Sequence, residues 1–437
     1  MAATDIALVS QVDQIGVEAI GSEGVAVTTN RLLQAMSLSV NPAYEIQVFG
    51  PAGQKADTLS IMNKEWATGD VAGAPTYDEL VVPFSSIFGN GVTDVPPGGT
   101  ASRRWSFAPR PVQKDVCRTF THQKGSPGAQ NATKSSGLIF SAFGFSLSKS
   151  GGTSLSGTVI AGRQSQDQWL DGGEVQRITI TGAPTGGTFT LTLGANTTSA
   201  IAYNAAAGVV EAALNALASV VALGGVSCAG GPLPATAIDV AFPSATSDPA
   251  AMTATSSLTG GSTPAVTISV PAPYAAVTSF PLVPIAPGQV DVFMDDTYAA
   301  LGTSQLLRDF VVEFSFGDRR NPIWPLNTAL SSFDGTVEIK PNPTLSLKLG
   351  NDPKGRSLYT TIRTGGRKYV RVTATGPTIE AAISYKLTFD ACVIVSDSPS
   401  SDDEDGLSTL TIPFRCVYDQ TANLWMKAEL INKTLTL

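Results

Sequence analysis

A mainly β fold is what this sequence predicts: an antiparallel sandwich or barrel with a flanking helix, interrupted by a small α+β domain. Three observations predict it. Apolar and polar residues alternate with period 2 in many short runs, Gly/Pro/Asp clusters such as GDRRNP, NDPKG and TGGRK punctuate those runs, and residues 174–271 differ sharply in composition from both flanks. The 437 residues give room for two or three domains. The boundaries read as 1–173 for the first part of the β body, 174–271 for the insertion and 272–437 for the second part.

Alternation marks half-buried strands at 44–49 (YEIQVF), 310–316 (FVVEFSF), 344–349 (TLSLKL), 369–373 and 410–414. The run from Tyr385 to Val395 carries Tyr385, Leu387, Phe389, Ala391, Val393 and Val395 on one face, which makes it the candidate central strand. A helix is expected to start at Thr76-x-x-Glu79, a capping-box pattern, and to stop at Gly89; Pro83 lies inside it and should kink or shorten it. Polar loops are expected at 93–104 and 123–137.

The insertion has few charges and opens with VQRITITGAPTGGTFTLTL, which reads as a hairpin around a Gly/Pro turn. Asn204 should then cap a helix whose stripe is Val210, Leu214, Leu217 and Val221, stopped by Gly224. Strands near 238–242 and 266–270 complete the unit. A domain inserted in a surface loop costs little loop-closure entropy.

Composition narrows the chemistry. Only 15% of residues are charged, against the ~25% usual for soluble chains, which points to a surface largely occupied by other chains. The formal charge of −8, with no Lys/Arg block, argues against a nucleic-acid-gripping protein. No apolar run reaches the ~18 residues of a membrane-spanning helix, and the opening MAATDIALVSQVDQ lacks a leader pattern. Cys117, Cys228, Cys392 and Cys416 are widely spaced and His122 is the single histidine, so no metal-ligand pattern exists; the cysteines read as reduced apolar residues. His122 sits in the polar stretch THQKGSPGAQ and reads as a solvated loop residue rather than a base. Ser146-Leu-Ser-Lys149 matches S-x-x-K by chance, without its partner motifs, and no glycine cluster forms a phosphate cradle. Asp402-Asp403-Glu404-Asp405 reads as a solvated turn; adventitious cation binding and repulsion of a polyanion are the other readings. In SRRWSFAPRP, Arg103, Arg104 and Trp105 are candidates for a subunit contact in which arginine meets a neighbour's carboxylate, with nucleic-acid stacking the weaker reading. No catalytic, cofactor-binding or metal-binding residue is expected.

Several stretches resemble the major tail tube proteins of bacteriophages with long, non-contractile (siphovirus-type) tails. They are NRLLQAMSLSV, the following YEIQVFGPAGQKADTLSIMNKEWATGDVAGAPTYDELVVPFSSIFG with Trp66 and Tyr77, then FVVEFSFGDRRNPIWPLN, GRKYVRVTATGPTIEAAISYKLTFDACVIV and PFRCVYDQTANLWMKAELIN. The module 174–271 resembles a small domain often inserted in phage tail proteins. The resemblance implies two roughly orthogonal antiparallel sheets with a helix, and homohexameric rings whose inner sheets join into one barrel. It implies that rings stack around a tape-measure protein and meet tail terminator and distal tail proteins. Double-stranded DNA then passes through without specific binding, and there is no cofactor and no membrane insertion. The implied location is the virion tail, with host cytoplasm during assembly. Trp66 and Tyr77 become subunit-contact candidates. An acidic bore would keep DNA mobile, since carboxylates repel phosphates over ~8–10 Å, and Glu45 and Glu313 are its candidate lining. The alternative is a tail-associated adhesin that contacts the host surface through the inserted domain.

Overall fold

A computed structural model describes residues 11–53, 55–126, 130–242, 247–326, 332–353, 355–357, 364–404 and 406–437. The chain is mainly β, with 52% strand and 8% helix in several antiparallel sheets. The expected strands are present and mostly longer than their alternating cores: Met36–Phe49, Asp309–Phe316, Pro343–Gly350, Lys368–Glu380, Ile383–Val395 and Leu407–Cys416.

Two long strands organise the body. Ala132–Ser148 pairs through its first part with Phe120–Gly125 and Gln164–Gln168, and through its second with Gly152–Ala161 and Asp309–Phe316. Ile383–Val395 pairs with Lys368–Glu380 on one side; on the other it meets Met426–Asn432 and then the end of Leu407–Cys416. One layer therefore runs Met36–Phe49, Leu59–Gly73, Gly152–Ala161, Ala132–Ser148, Asp309–Phe316, Pro343–Gly350, Leu407–Cys416, Ser400–Glu404. The other runs Val290–Asp295, Lys368–Glu380, Ile383–Val395, Met426–Asn432, Arg103–Phe107, Val92–Asp94. The single apolar row expected of Ile383–Val395 holds, with Tyr385, Leu387, Phe389, Ala391 and Val393 all buried.

The helix Val81–Ile87 is buried at every position rather than flanking the body. Phe84 meets Phe107 and Phe143 edge-on at 5.7 and 5.6 Å, and Phe88 meets Phe316 at 5.2 Å, so the helix is a plug between the layers. A helix apolar all round is stable only in such a place. Thr76 Oγ1 accepts the Glu79 amide at 3.1 Å, but in the turn that leads into the helix rather than as its cap: the N-cap is Leu80, with no side-chain bond. The reciprocal half of the box is absent: Glu79 turns to accept the amides of Gln34 at 2.7 Å and Met36 at 2.9 Å, fastening an approaching strand. Pro83 falls in the first turn, where no intrahelical donor is lost, so it is compatible with the helix. Gly89, at φ +104°, takes the chain out of it.

Of the two expected polar loops, 93–104 is a loop over residues 95–102 between strands Val92–Asp94 and Arg103–Phe107, whereas the described residues of 123–137 lie mostly in Phe120–Gly125 and Ala132–Ser148. His122 is consequently not a solvated loop residue. It is 1% exposed on a strand, with Nε2 at 3.1 Å from Asp13 Oδ1.

Residues 174–272 form two further sheets and two helices around a separate apolar cluster that includes Ile178, Phe189, Leu191, Val210, Leu214, Val220, Val240 and Phe242. The opening segment is not a hairpin. Glu174–Thr181 pairs with Ile238–Phe242 and Ala265–Ala272, whereas Gly186–Leu193 pairs with Thr253–Thr259 in the other sheet. Positive φ at Gly182 and Ala183 turns the chain from one sheet to the other. The helix is also split, into Ala207–Asn215 and Ala218–Ala222, because Leu217 is extended. Ala206, not Asn204, is the N-cap, and the break rephases the stripe so that Val220 is buried while Val221 is 62% exposed.

Candidate assembly surfaces

The edge strand Met36–Phe49 and its partner Leu59–Gly73 begin inside the body and end outside it. Met36, Leu38 and Val40 are buried against the core, and the intervening Ser37, Ser39 and Asn41 are exposed. Tyr44, Ile46 and Val48 continue the same inward row, yet they are 49, 56 and 53% exposed. Across the ladder Ile46 pairs with Met62, Gln47 with Ile61 and Phe49 with Leu59, so apolar side chains stand on both faces of this arm. Among the described residues no second layer covers it. Burying the exposed half of these seven side chains is worth on the order of 5–10 kcal/mol before the cost of association is subtracted.

Next to the arm, the outer face of the first layer is paved with hydroxyls. Register places Ser37, Ala72, Ser156, Gly144, Ser315, Thr344 and Arg415 in one row across the sheet. The neighbouring row contains Ser154, Ser146, Glu313 and Ser346. Glu313 is exposed there between two serines. Lys348, one row on, bonds Asp402 at 3.3 Å. The outer face of the second layer is different, with Arg371 forked onto Asp390 at 2.7 and 2.8 Å, Lys427 near Glu429, and Arg104 on Asp94.

The remaining sequence candidates separate into surface and interior. Glu45 lies on the arm, its carboxylate bonded to Lys64 and Asn63 at 2.7 Å each, and Lys64 holds its pKa below the ordinary value. Trp66 is half-buried edge-on to Trp324 at 5.5 Å. Tyr77 is fully buried, donates to Gln289 Oε1 at 3.0 Å and packs on Tyr385, so it presents no surface to a neighbour. Trp105 is likewise internal, stacked on Phe107 with its indole N–H on Thr434 O at 2.9 Å. Arg103 bonds the carbonyls of Thr100 and Ser102, and Arg104 is taken by Asp94, so the expected arginine–carboxylate pairing is made within the chain. Sequence reasoning missed the apolar tip of the arm, although its second strand LSIMNKEW, with Leu59, Ile61 and Met62 beside a charged stretch, carries the signal.

The module presents a flat hydroxyl face of its own, where Thr188, Thr190 and Thr192 stand opposite Ser257, Thr255 and Thr253. Among the described residues no cluster of His, Cys, Asp or Glu is arranged to hold a metal. All four cysteines are free thiols. No protein-family model matches this chain, and none of the curated proteins matches it.

Proposed function

We propose that this protein is a structural subunit that polymerises into a hollow tube, stacked rings forming a conduit of the kind found in siphovirus tails. The apolar arm carries the reading. It continues the core row of the body into solvent, and a second copy is the simplest layer to cover it. The first layer also ends in strands with one ladder partner each, Met36–Phe49 and Ser400–Glu404, which suit edge-to-edge joining of neighbours.

The serine- and threonine-rich face then lines the bore, and the ion-paired face of the second layer looks outward. A hydroxyl lining offers a passing polyanion short-lived hydrogen bonds in place of a basic surface that would hold phosphates. Asp70 and Glu313 add repulsion, while Glu45, neutralised by Lys64, adds little. Hexameric symmetry and a tape-measure partner belong to the same reading through the resemblance, and the module 174–271 decorates the outer wall.

Electron microscopy of concentrated purified protein tests it. Hollow tubes are expected, and the Ile46→Ser/Val48→Ser variant should remain monomeric with an unchanged fold. A wild-type chain that stays monomeric at high concentration would overturn the proposal. Deleting 174–271 should leave tubes that are thinner but intact.

A second reading, a host-surface adhesin, draws on the hydroxyl array of the module, which suits a flat, hydroxyl-rich polymer. Retention of the protein on host-envelope polysaccharide, lost on Thr190→Lys, would favour it.

A further inference from the structure

Strand Leu407–Cys416 carries two unlike ends. At its start it pairs with strand Ser400–Glu404, so Asp402 and Asp403, expected in a solvated turn, stand instead on an edge strand opposite Thr409 and Ser408. At its finish lies a groove of about 750 Å³ between the segment 110–114, the ribbon of Arg320–Ile323 and Gly335–Glu338, and the end of the first layer. Ten strand residues separate the two by roughly 30 Å.

The groove has an apolar floor and a basic rim. Val112, Ile323 and Val337 are 89, 46 and 47% exposed in it. Lys114, Lys340 and Arg415 line it, are exposed, and make no ion pair among the described residues. Its one acid, Glu338, is already bound to the buried Arg319, and its remaining cation, Arg110, is held by Asp115. The acidic edge strand at the other end is complementary. Asp402 is committed to Lys348, but Asp403 uses one oxygen only for the Gly406 amide, at 2.8 Å, and stands exposed.

We infer that the groove receives the acidic end of strand Ser400–Glu404, at Asp402 and Asp403, of a second copy of this chain. The two partners lie at opposite ends of one strand, so the contact can repeat head to tail along the strand direction, and repeated so it gives the assembly a polarity; the antiparallel alternative is a closed two-fold pair, which would sediment as a dimer and overturn this assignment. This rests on the tube reading and assigns the axial contact between successive rings, leaving the arm and the sheet edges to other contacts. Charge meeting charge at a rim sets register and partner choice more than raw affinity.

Charge reversal tests the pairing. Asp403→Lys and Lys340→Glu, both at exposed positions, should each raise the concentration needed for tubes roughly tenfold or more, read by sedimentation and light scattering at low salt. Asp403→Asn, which keeps the acceptor for the Gly406 amide, should weaken assembly to a lesser degree. The double variant D403K/K340E restores opposite charges across every contact and should recover tube formation. Unchanged assembly of either reversal, or a double variant no better than the singles, overturns the inference and leaves the tube reading standing. A wild-type chain that forms no tubes overturns both.

Discussion

The two halves of strand Met36–Phe49 obey one sequence rule and meet opposite fates. Leu38 and Val40 in the base are 0 and 7% exposed, whereas Ile46 and Val48, on the same inward row, are more than half exposed. Local pattern sets strand and facing in both halves; the presence of a second layer decides burial. The base belongs to the main apolar cluster together with the helix, and among the described residues the tip joins no apolar cluster. Under the proposed tube, a second copy supplies that missing layer.

The largest effect that sharpens this contrast comes from the base. Leu38→Ala should cost about 2–5 kcal/mol in chemical denaturation, because a cavity opens in a closed core. The same measurement on a tip residue should show no comparable loss. An Ile46→Ala variant that destabilised the monomer as much would mean that the arm packs on its own body.

Carboxylates give the next largest difference. Asp78, fully buried beside the base, has its pKa pushed up to about 6 by burial, against which bonds from Thr434 and Lys433 act weakly. The native state therefore binds the proton more tightly than the unfolded chain, and stability should fall as pH rises from about 4 to about 6. The decline is on the order of 1–3 kcal/mol. Subtracting the pH profile of Asp78→Asn isolates it from Glu79, whose pKa burial also raises. A profile unaltered by that substitution would place Asp78 in water.

At the tip the effects on the monomer shrink. Ile46→Ser/Val48→Ser should shift folding stability by no more than about 0.5 kcal/mol while abolishing polymer, since exposed positions contribute little until covered. Smallest of all, Glu45→Gln breaks a solvent-screened pair with Lys64 and should leave the melting temperature unchanged.

These residues also show what a sequence can declare. Period 2 located the strands, and Thr76 marked the approach to the helix but not its first residue, which is Val81 after the N-cap Leu80. Partner choice is not local. Glu174–Thr181 and Gly186–Leu193 alternate like two arms of one hairpin, but the first pairs with segments more than 50 residues away and the second joins Thr253–Thr259 as well as the nearby Asn196–Thr197 and Ile201–Ala202, and nothing within VQRITITGAPTGGTFTLTL encodes the distant partners. His122 and Gln123 read as loop because they are polar, yet both are buried, with Asp13 and the Thr29–Gln14–Asp171 cluster receiving them. Arg103, Arg104 and Trp105 were legible as a contact-making group, but the partner was the same chain. The exposure of the arm was the least legible, since it depends on what is absent beneath it.

The helix plug and strand Arg103–Phe107 are sealed by a segment far downstream. Asn432 donates to Tyr77 O, and Thr434 O receives the Trp105 indole, across separations of 355 and 329 residues. A ribosome adding ~5–20 residues per second makes those seals roughly 15–70 s after their receivers. During that interval the helix and strand Arg103–Phe107 lack those two bonds. Closure of the body is thereby timed by translation, complete only once its distant closing segment has been delivered.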